Sequence, residues 1–352
     1  MRRISKILLG MFLIFGFFSC QNSKKNALSK PEIEAEDQFY TNPVVNLNFP
    51  DPTVIKAENG MYYAYATNTK IDGQPIHIQL LESEDLLHWQ TLPDAMPEKP
   101  VWADQDFWAP HVTYNDNTQK YYLFYSGESK SPYLGKCLGV AVATSPGGPF
   151  VDKGEPLLCG EGFENIDPMV YKDKLSGKNF LYWGSGFENI KVQELSEDFL
   201  NFKEGSKAKN LIAPVPGDDP ENYENLVEGA WLKKHGGFYY LYYSGDNCCG
   251  ANTHYAVMVA RSKNPTGPFE KFSNKSGKPF ILNKNDRWLA PGHNSVITDK
   301  KGQDWMMYHA IDNRDPENGR VFLMYKITYE NGWPKISGGT PSVSKSKKPK
   351  VE

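Results

Sequence analysis

Residues 51–67 read Asp-Pro-Thr-Val-Ile-Lys-Ala-Glu-Asn-Gly-Met-Tyr-Tyr-Ala-Tyr-Ala-Thr. A turn-like start opens a short β-branched strand. A polar turn follows, and an aromatic strand closes the phrase. β-Branched and aromatic residues suit the pleated surface of a sheet. The phrase recurs as Ala109-Pro-His-Val-Thr leading to YYLFYSG (121–127), Asp167-Pro-Met-Val-Tyr leading to FLYWGS (180–185), Glu228-Gly-Ala-Trp-Leu leading to FYYLYYSG (238–245), and His293-Asn-Ser-Val-Ile leading to WMMYHA (305–310). A third strand follows each copy: HIQLLES, LGVAVATS, IKVQELS, YAVMVARS and VFLMYKI. Shorter fourth-strand remnants come next, LHWQ, GPFVD, FLNF, GPFEK and GWPKI.

The copies start at 51, 109, 167, 228 and 293, so the gaps are 58, 58, 61 and 65. Four short strands per repeat at this spacing are the mark of a propeller blade. Sustained helical periodicity is lacking, so the fold class is all-β. The expectation is a five-bladed β-propeller with about four antiparallel strands per blade.

The remaining segments set the domain boundaries. Arg2, Arg3 and Lys6 precede an apolar run from Ile7 to Phe18 that ends at Ser19-Cys20. The run is too short to span a bilayer and reads as a secretory signal. Its ending is similar to a bacterial lipoprotein signal, with Cys20 as the lipidated residue. Residues 1–20 are therefore read as signal, 21–40 as a flexible tether, 41–340 as the propeller and 341–352 as a Lys-rich, frayed tail. The chain is expected to be exported, as an outer-membrane or cell-surface lipoprotein or a periplasmic protein, with a lipid anchor as its only membrane contact. Cys137, Cys159, Cys248 and Cys249 match no zinc spacing, and export permits one disulfide among them. The net charge of -3 and the lack of a basic cluster in the body exclude nucleic acid as the main partner.

In a propeller the first strand of each blade is innermost, and equivalent positions form a ring about the axis. Here that ring would hold Asp51, Ala109, Asp167, Glu228 and His293. Asp-Pro alone is an ordinary turn signal. Three carboxyl groups at one register are not explained by turns. Burial and like charge raise the pKa of at least one such group, so one acid stays protonated while another stays ionised. Glycoside hydrolysis uses that division. Asp51 and Glu228 sit on non-adjacent blades. This suits an inverting pair, for which the carboxyls stand roughly 6.5–9.5 Å apart. Asp167, nearer Glu228 in the ring, would tune and hold the acid.

Phe49-Pro-Asp51-Pro, Trp108-Ala-Pro, Ile166-Asp167-Pro, Val227-Glu228-Gly, Gly292-His293-Asn-Ser-Val and Gly332-Trp-Pro follow one another in this order. In these motifs the sequence resembles glycoside hydrolase family 43, the inverting arabinanases and xylosidases. The resemblance implies Asp51 as general base, Glu228 as general acid and Asp167 as pKa modulator. It also implies that His293 binds a calcium ion on the axis; calcium ordinarily prefers oxygen ligands, and the alternative is a His hydrogen-bonded within the channel. Cys248-Cys249-Gly, Tyr255, Ala260-Arg-Ser, Thr266-Gly-Pro and Tyr308-His-Ala are most similar to arabinanases, which points to α-L-arabinofuranosides in a plant-type oligo- or polysaccharide. Trp108 could floor a sugar ring or pack in the core. Ser185 could donate to the sugar or close a turn. Arg320 could hold a sugar hydroxyl, hold Asp51, or stand in solvent. The long loops at 128–136 and 214–226 leave endo or exo action open. A monomer is expected. The rival readings are a non-catalytic glycan-binding propeller, a β-xylosidase or other glycosidase of this family, and a mannoside phosphorylase. The last would need clustered Arg or Lys that the ring positions lack.

Overall fold

The computed structural model describes residues 38–351. Cys20, the leader and all but the last residues of the expected tether lie outside this range. Five antiparallel sheets follow one another along the chain. Blade one holds Thr53–Lys56, Tyr62–Ala66, Gln79–Ser83 and Gln90–Thr91. Blade two holds Trp108–Asn115, Lys120–Glu128, Lys136–Ala143 and Val151–Asp152, with Leu158–Cys159 also paired to its third strand. Blade three holds Met169–Asp173, Lys178–Trp183, Ile190–Leu195 and Lys209–Ile212. Blade four holds Val227–His235, Phe238–Asn247, His254–Ser262 and Glu270–Lys271, with Phe280–Leu282 on its third strand. Blade five holds Trp288–Thr298, Asp304–Asp312 and Arg320–Lys326.

The aromatic strands are buried on both faces, which is why they read as unbroken apolar runs. Successive side chains point to opposite sides of a sheet. Tyr63 and Tyr65 thus pack towards Val112, Leu123 and Tyr125 of blade two. Their neighbours Tyr62 and Ala64 pack towards Trp305, Met307 and Phe322 of blade five. Tyr122 and Phe124 meet Leu181 and Trp183 at the next junction. Tyr182 meets Leu241 and Tyr243, and Tyr240 and Tyr242 meet Met306 and Tyr308. Each of the five apolar clusters is one blade–blade interface, so the core is itself a ring.

Two expectations change at the closure. GWPKI is not the outer strand of blade five, because Trp333–Lys335 pairs with Thr328–Glu330 in a separate hairpin. The outer place is taken by the N-terminal side, where the Val44 and Val45 N–H groups donate to the Phe322 carbonyl at 2.9 and 3.2 Å. Nor is the Lys-rich end frayed. Ser346–Lys347 pairs with Phe39–Tyr40, and the Lys350 N–H donates to Asp299 Oδ2 at 3.1 Å. The backbone of the tail, invisible to a composition argument, supplies these contacts.

Candidate active site

The ring is built by a backbone device. Asp51, Ala109, Asp167, Gly229 and His293 all have positive φ, at 58°, 45°, 57°, 63° and 47°. Positive φ is uncommon outside glycine, and an ordered ring of such residues is backbone strain held by the surrounding structure. In blades two, four and five the strand pairing slips beside these residues, between Trp108 and His111, Glu228 and Trp231, and Gly292 and Ser295. The extra residue of such a bulge re-aims the side chains around it.

This geometry corrects the register of blade four. The residue equivalent to Asp51 is Gly229, and Glu228 stands one place earlier, where blade two has Trp108. Glycine at 229 also leaves room for the neighbouring ring. A Cβ there would lie 3.3 Å from the His293 ring.

Each ring residue is tied to the preceding blade. The Ala109 N–H donates to Thr67 Oγ1 (2.9 Å), Asp167 to Ser126 Oγ (3.1 Å), His293 to Ser244 Oγ (2.9 Å) and Asp51 to His309 Nδ1 (3.1 Å). Counting along the paired strands, the matching position in blade three is Gly184, which has no side chain. The Gly229 N–H turns instead to Asp167 Oδ2 at 3.0 Å. Asp167 is therefore bound directly to the backbone beside Glu228.

Asp51 is buried, and burial alone would raise its pKa. Arg320 Nη1 at 2.8 Å from Oδ1, with His293 and His309 beside it, outweighs burial and holds the carboxyl well below its usual range. The Thr67 hydroxyl donates to the other oxygen at 2.5 Å. Glu228 is pushed the opposite way, to about 7, by burial and then by the Asp51 charge. Tyr255 (2.7 Å to Oε1) and Ser185 (3.2 Å to Oε2) donate to it and partly oppose the rise. Asp167 is raised well above its usual value by burial and by the charges of Glu228 and Asp51. One carboxylate is thus fixed in its ionised form, and two neighbours are held towards the protonated form.

The structure brings together all the side chains singled out in the propeller sequence. A cavity of about 770 Å³ is lined by Asp51, Asp167, Glu228, Trp108, His293 and Arg320, and Ser185 touches it through Glu228. Trp108 is half-buried with Lys136 Nζ 4.3 Å above its ring. His293 Nδ1 lies 3.4 Å from Asp51 Oδ1 and 3.9 Å from Asp167 Oδ2, and burial, partly opposed by the Asp51 charge, lowers its pKa below the usual histidine value. Three contributors were not foreseen: Thr67, Tyr255 and His309. Thr67 and His309 fall at or near the end of the aromatic phrases YYAYAT and WMMYHA, so the repeated phrase carried a signal for them. Tyr255 stood in the sequence only as part of the arabinanase-like segment; its place beside Glu228 depends on Gly292, where a Cβ would overlap its ring at 2.1 Å.

A family model described as glycosyl hydrolases family 43 matches residues 40–334. The extracellular endo-α-(1→5)-L-arabinanase 1 of Bacillus subtilis (strain 168) is 30% identical, over 81% of this chain and 86% of that protein. The β-D-galactofuranosidase xynD of Aspergillus niger is 32% identical, over 76% of this chain and 75% of that one. The crystal structure of a thermostable family-43 glycoside hydrolase superposes with a TM-score of 0.70 at 28% identity, covering 88% of this chain and 99% of its own. The ring of opposed carboxyls on a five-bladed propeller and the match along its length agree: the chain belongs to glycosyl hydrolase family 43.

Proposed function

We propose that the protein hydrolyses α-L-arabinofuranosidic linkages of arabinan-type glycans with inversion, with Asp51 as general base and Glu228 as general acid. The observation that carries this reading is the opposite displacement of the two carboxyls, Asp51 downwards beside Arg320 and Glu228 upwards to about 7. A base must be ionised and an acid protonated at the same pH. Asp51 takes a proton from water as the water oxygen attacks the anomeric carbon. Glu228 gives its proton to the departing glycosidic oxygen. The cycle ends with Asp51 protonated and Glu228 ionised, and solvent restores both. Asp167 anchors the Gly229 N–H and so fixes the peptide that follows the acid. With Asp51 ionised, Asp167 and Glu228 compete for any further negative charge, which keeps a proton on the pair.

Arabinan as substrate is supported by the arabinanase relative and by the segment from Cys248 to Tyr255. The test is a panel of linear arabinan, arabino-oligosaccharides, xylan, galactan and aryl furanosides. Turnover of arabinan or its oligomers supports the reading, and turnover of xylan alone overturns the substrate. A purely glycan-binding propeller would turn over none.

A calcium ion near His293 suits the polar axis below the ring. Both side-chain polar atoms of the buried Asn294, which lines that chamber with His293, lack a protein partner. His293 would hold the ion, with water completing an oxygen-rich shell. It would add positive charge beside Asp51 and Asp167, in the same sense as Arg320.

Export with a lipid at Cys20, and action as a monomer, complete the proposal. The apolar run ending at Ser19-Cys20 and the extracellular relative support export. Cys20→Ala should move the protein from membrane to soluble fractions, and wild-type protein found wholly soluble with an unmodified N-terminus would overturn the anchor.

A further inference from the structure

The loop after the second strand of blade three carries two features that the mechanism does not join. Ser185 donates to Glu228 Oε2 at 3.2 Å. Two residues later, Phe187 lines the same cavity with 64% of its surface exposed and a φ of 64°. Positive φ is strained for a bulky aromatic residue. Gly184 and Gly186 flank Ser185 at φ 138° and 71°, so the loop winds through conformations that favour glycine. Gly186 also packs tightly, since a Cβ there would lie 2.9 Å from the backbone of Glu164.

The facing wall is fixed independently. The Gly135 and Lys136 N–H groups donate to the Gly160 and Gly162 carbonyls, both at 2.7 Å, and Cys137–Cys159 links the same two segments. That wall presents Phe163, whose ring meets Phe187 edge to face at 5.9 Å and 71°. Phe163 therefore packs against the Phe187 ring, and the exposed area of Phe187 remains at the cavity rim.

The chemistry gives this ring a side. Glu228 protonates the leaving oxygen, so the sugar on that oxygen lies on the Glu228 side of the cleaved bond and the attacking water on the Asp51 side. The loop of Ser185 and Phe187 stands against Glu228. Thr67 and Arg320, by contrast, hold the Asp51 side. The electron-rich face of an aromatic ring attracts positively polarised hydrogens, and the C–H face of a sugar presents these. Resting on the acid and base roles above, we infer that Phe187, packed against Phe163, is the stacking platform for the sugar on the leaving-group side of an oligosaccharide. It is a specificity-determining residue that favours chains over simple glycosides.

The test compares wild type, Phe187→Ala and Phe187→Trp on a linear arabino-oligosaccharide and on α-L-arabinofuranosyl fluoride, whose leaving group carries no sugar. Phe187→Ala should lose roughly tenfold in kcat/KM on the oligosaccharide, the size of a contact of about 1.4 kcal/mol. It should keep its rate on the fluoride. Phe187→Trp should retain both. The pH profile should not move, because Ser185 still holds Glu228. Equal losses on both substrates, or no loss on the oligosaccharide, would overturn the platform. If the wild type ignores arabinan but cleaves xylo-oligosaccharides, the arabinan reading fails, and the same comparison with xylosyl fluoride still decides the platform.

Discussion

Replacing Tyr255 by Phe should move the alkaline limb of activity to higher pH. The Tyr255 hydroxyl donates to Glu228 Oε1 at 2.7 Å and lowers the pKa of that carboxyl, which burial and Asp51 raise to about 7. Removing the donor withdraws support mainly from the ionised form. A hydrogen bond to a charged group contributes about 1.5–3 kcal/mol, and one to a neutral partner roughly 1 kcal/mol. The difference of about 1–2 kcal/mol corresponds to roughly one pKa unit. The limb should therefore move from near 7 to about 8. Phe keeps the ring that fills the space left by Gly292, so the fold should survive. The assay is kcat/KM on an arabino-oligosaccharide from pH 4 to 9, which reports the free enzyme's acid and base. An unsubstituted glycan is needed, because a nitrophenyl leaving group depends little on the acid. A limb that stays in place or moves to lower pH would refute the assignment of Glu228 as an acid tuned by Tyr255.

Two further outcomes follow from the same charges. Arg320→Met should raise the Asp51 pKa and shift the acidic limb of kcat/KM upwards; an unmoved limb with a higher KM would mean that Arg320 acts on the sugar instead. Glu228→Gln should stabilise the fold at neutral pH while abolishing most activity on natural glycans. Its folded pKa of about 7 exceeds the ordinary glutamate value of 4.5, so the buried carboxyl is neutral in the fold at low pH and progressively destabilises it as pH rises between those values. The gain should be absent near pH 4 and reach about 3 kcal/mol above pH 8, measured by denaturant unfolding at both. Equal stability at both pH values would show that the Glu228 carboxyl is not displaced.

The fold was legible because each blade repeats one phrase, and because strands buried on both faces keep aromatic residues at consecutive positions. The acids were legible because they stand at or beside the start of that phrase. Blade four was misaligned by one residue for a physical reason. The ring position is defined by the sign of φ, and Asp51, Ala109, Gly229 and His293 share no side-chain chemistry. Glu228 reaches the cavity from the neighbouring position, and the alignment on acidity concealed the slip. Tyr255 was hidden because its bond to Glu228 depends on a missing side chain at Gly292 on another blade. Closure of the ring was hidden too, since the pairing of Phe39–Tyr40 with Ser346–Lys347 joins segments with little apolar pattern of their own.

The central claim is that Asp51 activates water while Glu228 protonates the leaving group. The anomeric configuration of the first product tests it most directly. Proton NMR during the first minutes of hydrolysis, before mutarotation, reads that configuration. Inversion at the anomeric carbon is the predicted result, because water attacks opposite the departing oxygen in a single displacement. A product that keeps the substrate's configuration would contradict the account and make one carboxylate a nucleophile.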